Sequence, residues 1–232
     1  MAEYARYLTG PLGKQTRPKV IEFDHLTTIH GQHSVLQNIT LDIFEGETVA
    51  LLGKAGSGKS TLLACIQGLV QPTQGQLLVL GASPASMPIE IRHQIGIMPQ
   101  HLSLTTSETV ATYLQRFAAF SGTPLNQQQV QNYCVRYQLP PSVRVARLTQ
   151  LQKRILALAL ALVHDPRLVL LDEPLAEVAE EDRPALLTYL QRTQSEGRTL
   201  LCTFTPPVAD FSINGYDLVV TLEQGHLLRQ ET

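Results

Sequence analysis

Apolar positions in the N-terminal third of the chain are spaced as in β-strands. This spacing predicts two strands, VIEFDHL from Val20 and VLQNITLDIF from Val35. A buried strand, GETVALLG, then leads directly into a glycine-rich loop, and the run STLLACIQGLV after that loop predicts a helix. Glycines bound one further strand, GQLLVLG, so strand and helix alternate in this part of the chain.

Helical spacing replaces the strand pattern between His101 and about Leu160, in the segments SETVATYLQRFAAF, QQQVQNYCVRYQL and TQLQKRILALALALV. Strand pattern returns with RLVLLDEP, followed by a helix through PALLTYLQRTQ and a strand, RTLLCTF. A terminal pair of strands, DLVVTLE and HLLRQ, is joined at Gly225. The pattern therefore predicts an α/β fold with an inserted helical subdomain at about 101–160.

Residues 1 to about 19 mix Gly, Pro, Lys and Arg without periodicity, which predicts a flexible extension before a domain at 20–232. The chain has 232 residues, enough for one domain with a subdomain. Its 18 basic and 20 acidic residues give a net charge of -2. Because a basic field is missing, nucleic acid is disfavoured as a partner.

The cysteines and the apolar runs indicate the compartment. Cys65, Cys134 and Cys202 lie far apart among apolar neighbours, which predicts reduced, buried thiols in a reducing compartment. The first residues lack the apolar region of a signal peptide, and no run reaches the roughly 18 apolar residues of a membrane span. The sequence therefore predicts a soluble, cytoplasmic chain.

The loop GKAGSGKST, residues 53–61, fits the phosphate-loop pattern G-x-x-x-x-G-K-[ST] between a strand and a helix. Its glycines let backbone N–H groups close around phosphate, and the helix N-terminus adds positive partial charge. Lys59 reaches the outer phosphates and Ser60 is a candidate Mg²⁺ ligand; an incidental glycine-rich turn is the alternative. The candidate nucleotide-binding residues are Gly53, Lys54, Ala55, Gly56, Ser57, Gly58, Lys59, Ser60 and Thr61.

Two adjacent carboxylates follow a buried strand in LVLLDEP, residues 168–174. Asp172 is predicted to bind the water shell of a metal ion, and Glu173 to orient or deprotonate an attacking water. A solvated acidic turn is the alternative, which the nearby phosphate loop disfavours.

From about Val20 to the C-terminus, the sequence resembles the nucleotide-binding subunits of ABC transporters. Besides the two phosphate motifs, IGIMPQ ends in Gln100, which matches the Q-loop glutamine of that family. The resemblance implies a P-loop NTPase (RecA-like) core with an N-terminal antiparallel β part, and ATP with Mg²⁺ as ligands. It places Gln100 at the metal or the attacking water, and His30 against adenine, with a plain turn residue as the alternative for His30.

Three positions on one face depart from the family. Counting back from HDP at His164, the LSGGQ signature positions are 148–152, which read LTQLQ, so both glycines are replaced. Thr205 stands where the family has its switch histidine, and the D-loop S-G-L-D is represented by AEVA at 176–179. These departures predict weakened closure over ATP and slow hydrolysis.

The sequence thus predicts the ATP-binding subunit of an ABC transporter, of an exporter-like branch, with weak intrinsic ATPase activity. It predicts peripheral attachment to the cytoplasmic face of the membrane through a permease, and a second ABC ATP-binding subunit as partner, with a heterodimer preferred to a homodimer. A non-hydrolysing regulatory or assembly subunit of a membrane complex is the main alternative. An unrelated phosphate-loop enzyme, such as a small-molecule kinase, is the other.

Overall fold

A computed structural model describes residues 17–31, 33–104, 106–206, 213 and 215–230. Most of the predicted N-terminal extension therefore lies outside the described residues. The strands are β1 (Lys19–His30), β2 (His33–Phe44), β3 (Thr48–Leu52), β4 (Gln74–Val79), β5 (Ile95–Met98), β6 (Leu168–Leu171), β7 (Thr199–Phe204), β8 (Leu218–Glu223) and β9 (His226–Gln230). The helices are α1 (Lys59–Ile66), α2 (Ile89–Arg92), α3 (Val110–Phe120), α4 (Gln127–Arg136), α5 (Gln150–Leu162) and α6 (Arg183–Ser195).

The strands form two sheets. β2, β1 and β4 pair in that order as a three-stranded antiparallel sheet. The larger sheet has the order β5-β6-β7-β3-β8-β9, in which all pairs are parallel except β8 with β9. The predicted fold class, an α/β core with an N-terminal antiparallel part, is confirmed.

Both faces of the parallel sheet are buried, as the apolar runs of its strands require. On β6, Leu168 and Leu170 pack into a cluster with α1 and the antiparallel sheet. Val169 and Leu171 point to the other face and pack into a cluster with α3, α4, α5 and α6. The helical segment therefore shares its core with one face of the sheet.

Every segment that the pattern predicted as a strand or helix forms one, but three local details differ. The helix after the glycine-rich loop ends at Ile66, because Gly68 adopts a positive φ of 74° and turns the chain. β5 and the single turn α2 were not predicted. Each has only four residues, too few for a periodic signal.

The three cysteines are free and buried, as predicted. Burial raises the pKa of the Cys202 thiol to about 12, so this thiol is an apolar core residue. No helix in the described part of the chain is long and apolar enough to cross a membrane.

Candidate functional site

Four loops meet at the carboxyl edge of the parallel strands. β3 leads into the glycine-rich loop, β6 into Asp172 and Glu173, β7 into Thr205, and β5 into the segment that contains Gln100. Because β5, β6, β7 and β3 are neighbours in that order, the four loops lie side by side. Ligands of open parallel sheets bind at this edge.

The conformation of the glycine-rich loop depends on two of its glycines. A Cβ atom at Gly53 would lie 2.4 Å from Ser57 Oγ and 2.7 Å from the carbonyl oxygen of Leu222, so no side chain fits there. Gly58 has a φ of 108° and directly precedes α1. Only glycine adopts this backbone angle without strain. The N-terminus of α1 therefore begins without a side-chain cap, which leaves its positive end open to an anion.

Lys59 is buried under this loop, with 6% of its side chain exposed. Its Nζ atom donates hydrogen bonds to the carbonyl oxygens of Gly53 at 2.7 Å and Lys54 at 3.2 Å. It also lies 3.2 Å from Glu173 Oε1. A buried ammonium group is costly unless it is paired, and these contacts hold it at the loop.

A threonine on β7 positions the two acidic residues. Thr203 Oγ1 donates to Asp172 Oδ1 at 2.7 Å and accepts from the backbone N–H of Glu173 at 2.9 Å. The N–H of Asp172 donates to the carbonyl of Met98 at 2.9 Å, which joins the ends of β6 and β5. These bonds fix the carboxyl group of Asp172 and the backbone of Glu173 relative to the sheet edge.

The loop and the strand ends enclose a cavity of about 350 Å³. The sequence-predicted residues Gly53, Lys54, Asp172 and His30 are not among its lining residues. His30 instead pairs with His33 where the β1–β2 hairpin turns. The lining residues are Val35, Ala55, Gly56, Ser57, Gly58, Lys59, Ser60, Thr61, Gln100, Glu173 and Thr205.

This cavity fits a phosphate group with a metal ion. It combines an uncapped helix N-terminus with a buried ammonium, and Ser57 Oγ is buried with no hydrogen-bond partner among the described residues. Ser60 and Gln100 line the cavity and Asp172 precedes Glu173, so hydroxyl, amide and carboxylate oxygens lie at one edge. Oxygen ligands of this kind are those that Mg²⁺ prefers.

The profile of the ABC transporter family matches residues 36–176, more than half of the chain. The chain belongs to the ABC transporter family. ATP-binding cassettes of this family bind ATP with Mg²⁺, in agreement with the phosphate loop described above.

Curated relatives match a larger part of this chain than the family profile does. The sulfate/thiosulfate import ATP-binding protein CysA of Photorhabdus laumondii is 32% identical over 219 residues, which cover 89% of this chain and 59% of the relative. The Nod factor export ATP-binding protein I of Rhizobium etli is 29% identical over 189 residues, which cover 79% of this chain and 59% of the relative. The chain thus spans about three fifths of the length of these two proteins.

Solved structures of ABC transporter subunits share the fold of this chain. CbiO1 from Clostridium perfringens, part of the ABC transporter complex cbiONQ, superposes with a TM-score of 0.79 at 24% identity. The superposition covers 92% of this chain and 88% of that one. The likeness confirms the fold that the sequence predicts.

The predicted signature positions, 148–152, lie at the start of α5. Thr149 Oγ1 accepts from the N–H of Gln152 at 3.2 Å, and Gln152 Oε1 accepts from the N–H of Thr149 at 3.1 Å. This reciprocal pair is a capping box, so α5 satisfies N-terminal donors with its own side chains. The helix end at which both signature glycines are predicted to be replaced is therefore capped by its own side chains.

A buried arginine joins the signature helix to the D-loop positions. Arg154 on α5 is 2% exposed, and its Nη2 lies 3.7 Å from Glu177 Oε2. Neither terminal nitrogen of Arg154 has a hydrogen-bond partner among the described residues, and burial lowers the pKa of its guanidinium. Glu177 also lies 3.8 Å from His101 Nδ1, next to Gln100. One carboxylate therefore contacts both the signature helix and the Q-loop segment.

Sequence reasoning missed two residues of this site and the contacts of a third. Thr203 orients the acidic pair, Val35 lines the cavity from β2, and Thr205 contacts both Lys59 and Glu173. Thr203 places a hydroxyl next to the last residue of the mostly apolar strand in RTLLCTF, which was the available signal for it. Val35 carries no chemical signal, because only the packing of β2 against the loop brings it there.

Proposed function

We propose that the chain is the ATP-binding subunit of an ABC transporter, which binds MgATP in the cavity between the glycine-rich loop and the ends of β5, β6 and β7. The loop N–H groups and Lys59 bind the phosphates. Ser60, Gln100 and Asp172 hold Mg²⁺, which neutralises charge on the phosphate oxygens when bound. Glu173 orients or deprotonates the attacking water.

One observation carries this proposal. A buried lysine, an uncapped helix N-terminus and the side chains of Gln100 and Glu173 face one cavity, although they come from three separate parts of the sequence. A structural role alone requires no such convergence, because a glycine-rich turn is stable without a lysine beneath it. His30 remains a predicted adenine contact that the cavity lining does not include.

Calorimetric titration of the chain with MgATP tests this binding role. Lys59→Ala removes the ammonium and is expected to lower the affinity by roughly 100-fold, the size typical of losing one buried charged partner. Lys19→Ala is the matched control. That lysine lies on β1 and pairs with Glu22 and Asp42 at the surface, so its loss leaves the affinity unchanged. Equal affinity in the two variants would refute the assignment.

We further propose that the chain works with a different, more typical ABC subunit. In a homodimer both composite sites would contain Gln150 and Leu151 at the signature positions and Thr205 in place of a histidine. In a heterodimer the phosphate loop of this chain faces the partner's intact signature, so this site closes on ATP but turns over slowly. The partner's phosphate loop faces residues 148–152 of this chain, and that site cycles at a reduced rate. Light scattering in the presence of ATP tests this pairing, by comparing the chain alone with the chain mixed with a typical ABC subunit.

The proposed membrane partner is a permease that docks near residues 100–113. Both carboxylate oxygens of Glu108 in this segment bind the guanidinium of Arg116, at 3.0 and 2.7 Å. Glu108→Lys is expected to weaken co-purification with the permease without lowering ATP affinity. Arg116→Gln breaks the same ion pair without reversing a charge, so it separates docking from loss of the pair. Export rather than import remains a prediction from the sequence on both sides of Gln100, because the relatives include proteins of both kinds.

A non-hydrolysing regulatory or assembly subunit is the second candidate function. The capped start of α5 and the threonine at position 205 favour it, since both weaken closure and turnover. Steady-state ATPase of the assembled complex separates the two. Loss of a slow component of turnover with Glu173→Gln in this chain supports the transporter ATPase, whereas a complex that loses no component supports the regulatory subunit.

A further inference from the structure

A continuous chain of hydrogen bonds crosses the candidate site. Lys59 Nζ donates to Thr205 Oγ1 at 3.1 Å. Thr205 Oγ1 donates its single proton to Glu173 Oε1 at 2.5 Å. The directions are consistent, because a hydroxyl accepts one bond and donates another, and each bond polarises the next.

Thr205 binds both oxygens of the Glu173 carboxylate. Its hydroxyl donates to Oε1, and its backbone N–H donates to Oε2 at 3.1 Å. The N–H of Glu173 is also held by Thr203 at 2.9 Å. The carboxylate is therefore fixed at the end of β7, with 14% of the side chain exposed. Two donors from one residue orient it more strictly than a single hydrogen bond would.

In this orientation the carboxylate of Glu173 is paired with the ammonium group of Lys59, the group that would otherwise bind the phosphates. Glu173 Oε1 lies 3.2 Å from Lys59 Nζ, so the anion and the cation form an ion pair within the cavity. A phosphate oxygen that approaches Lys59 meets a negative charge already there. The ion pair must loosen before a phosphate can replace the carboxylate.

We propose that Thr205 is a positioning residue that holds Glu173 on Lys59, so that Glu173 competes with the phosphates of ATP for the lysine. This inference rests on the proposed function, because the competing ligand is a nucleoside triphosphate. It assigns Thr205 a role in nucleotide affinity rather than in the chemical step alone. The hydroxyl thus regulates how readily the empty site accepts ATP.

The test is a double-mutant cycle measured by calorimetry with a non-hydrolysable ATP analogue and Mg²⁺, so that turnover plays no part. Thr205→Val removes the hydroxyl but keeps the backbone N–H and the shape, and is expected to raise affinity about threefold. Glu173→Gln removes the competing charge and is expected to raise affinity about tenfold. Thr205→Ser keeps the hydroxyl and is expected to match the wild type.

The double variant decides the mechanism. If Thr205 acts through Glu173, Thr205→Val adds nothing once Glu173→Gln is present, so the double variant matches Glu173→Gln. Fully additive effects, or no gain with Thr205→Val, would overturn the inference. Thermal melts show whether each variant is folded, and Glu173→Gln with Thr205→Ser still tests the competition should Thr205→Val unfold.

Failure of the proposed function gives a different result. If the wild-type chain does not bind the analogue at all, the proposed function fails and the inference fails with it. If the wild type binds and the cycle is additive, the inference alone fails.

Discussion

The two helix N-termini that carry the phosphate-loop and signature positions are built in opposite ways. α1 begins after Gly58 and has no side-chain cap, so its first-turn donors and positive end face the cavity. α5 begins after Thr149 and is closed by a capping box with Gln152. A helix N–H group that a capping side chain already occupies is not available to an external anion.

We expect the two helix ends to serve different steps: the α1 end serves ATP binding, and the α5 end serves closure of a dimer over ATP. The open end of α1 belongs to a cavity with a buried lysine and an acidic residue, the elements needed to bind a nucleotide. The capped end of α5 puts Gln150 and Leu151 in its first turn, where ABC subunits have glycines. Under the proposed function, the α1 end would supply one half of a composite ATP site in good order, and the α5 end a poorer second half.

Gly53→Ala is expected to break this contrast most strongly. The added Cβ atom would meet the carbonyl of Leu222 at 2.7 Å, so the loop must shift. We expect MgATP affinity to fall about 100-fold, because one or two N–H hydrogen bonds to the charged phosphates are lost, and stability to fall by about 2 kcal/mol. Gly81→Ala is the control, since a Cβ atom there meets no atom within 4 Å, so that its only cost is backbone strain at a φ of 77°. Equal affinity in the two variants would contradict the role of the loop.

Arg154→Met tests whether the contact between Arg154 on α5 and Glu177 stabilises the fold. Replacing a buried, poorly paired charge with an apolar side chain of similar length is expected to raise the free energy of unfolding by about 1 kcal/mol. Urea unfolding measures this change, and the exposed Arg147→Met serves as the control. A loss of more than about 2 kcal/mol would mean that the contact with Glu177 is stabilising.

Thr149→Ala removes the cap of α5 and is expected to cost about 1 kcal/mol of stability. The MgATP affinity of the isolated chain should not change, because Thr149 lies outside the cavity. Thr149→Ser keeps the capping oxygen and should behave as the wild type. Reduced ATP affinity in Thr149→Ala would show that the two helix ends are coupled within one chain.

The smallest expected effect is a pH dependence at His164, at the end of the α5 segment. Burial lowers the pKa of this imidazole, and Asp165 opposes the shift while His93 adds to it. The folded state therefore favours neutral His164, so stability is expected to fall as the pH drops below the ordinary value of 6.5. Thermal melts from pH 7 to 5 should show a smaller decline in His164→Gln. An equal decline would assign the effect to other groups.

The sequence predicts the architecture because parallel strands buried on both faces leave continuous apolar runs, such as LVLL before Asp172. It predicts the phosphate loop because only glycine fits the close contacts at Gly53 and the positive φ at Gly58. It does not predict the contacts of Thr205 or Arg154. These depend on how distant strands and helices pack, which a local pattern does not encode.

The central claim is that this chain binds MgATP on its own but neither closes nor turns over efficiently with itself. The most direct test is to purify the chain alone and measure MgATP affinity, ATP-dependent dimerisation and steady-state hydrolysis in the same preparation. The account predicts saturable binding that Lys59→Ala weakens by roughly 100-fold, with little dimer and negligible turnover. Tight ATP-dependent dimerisation with brisk hydrolysis by the isolated chain would contradict it, as would the absence of MgATP binding.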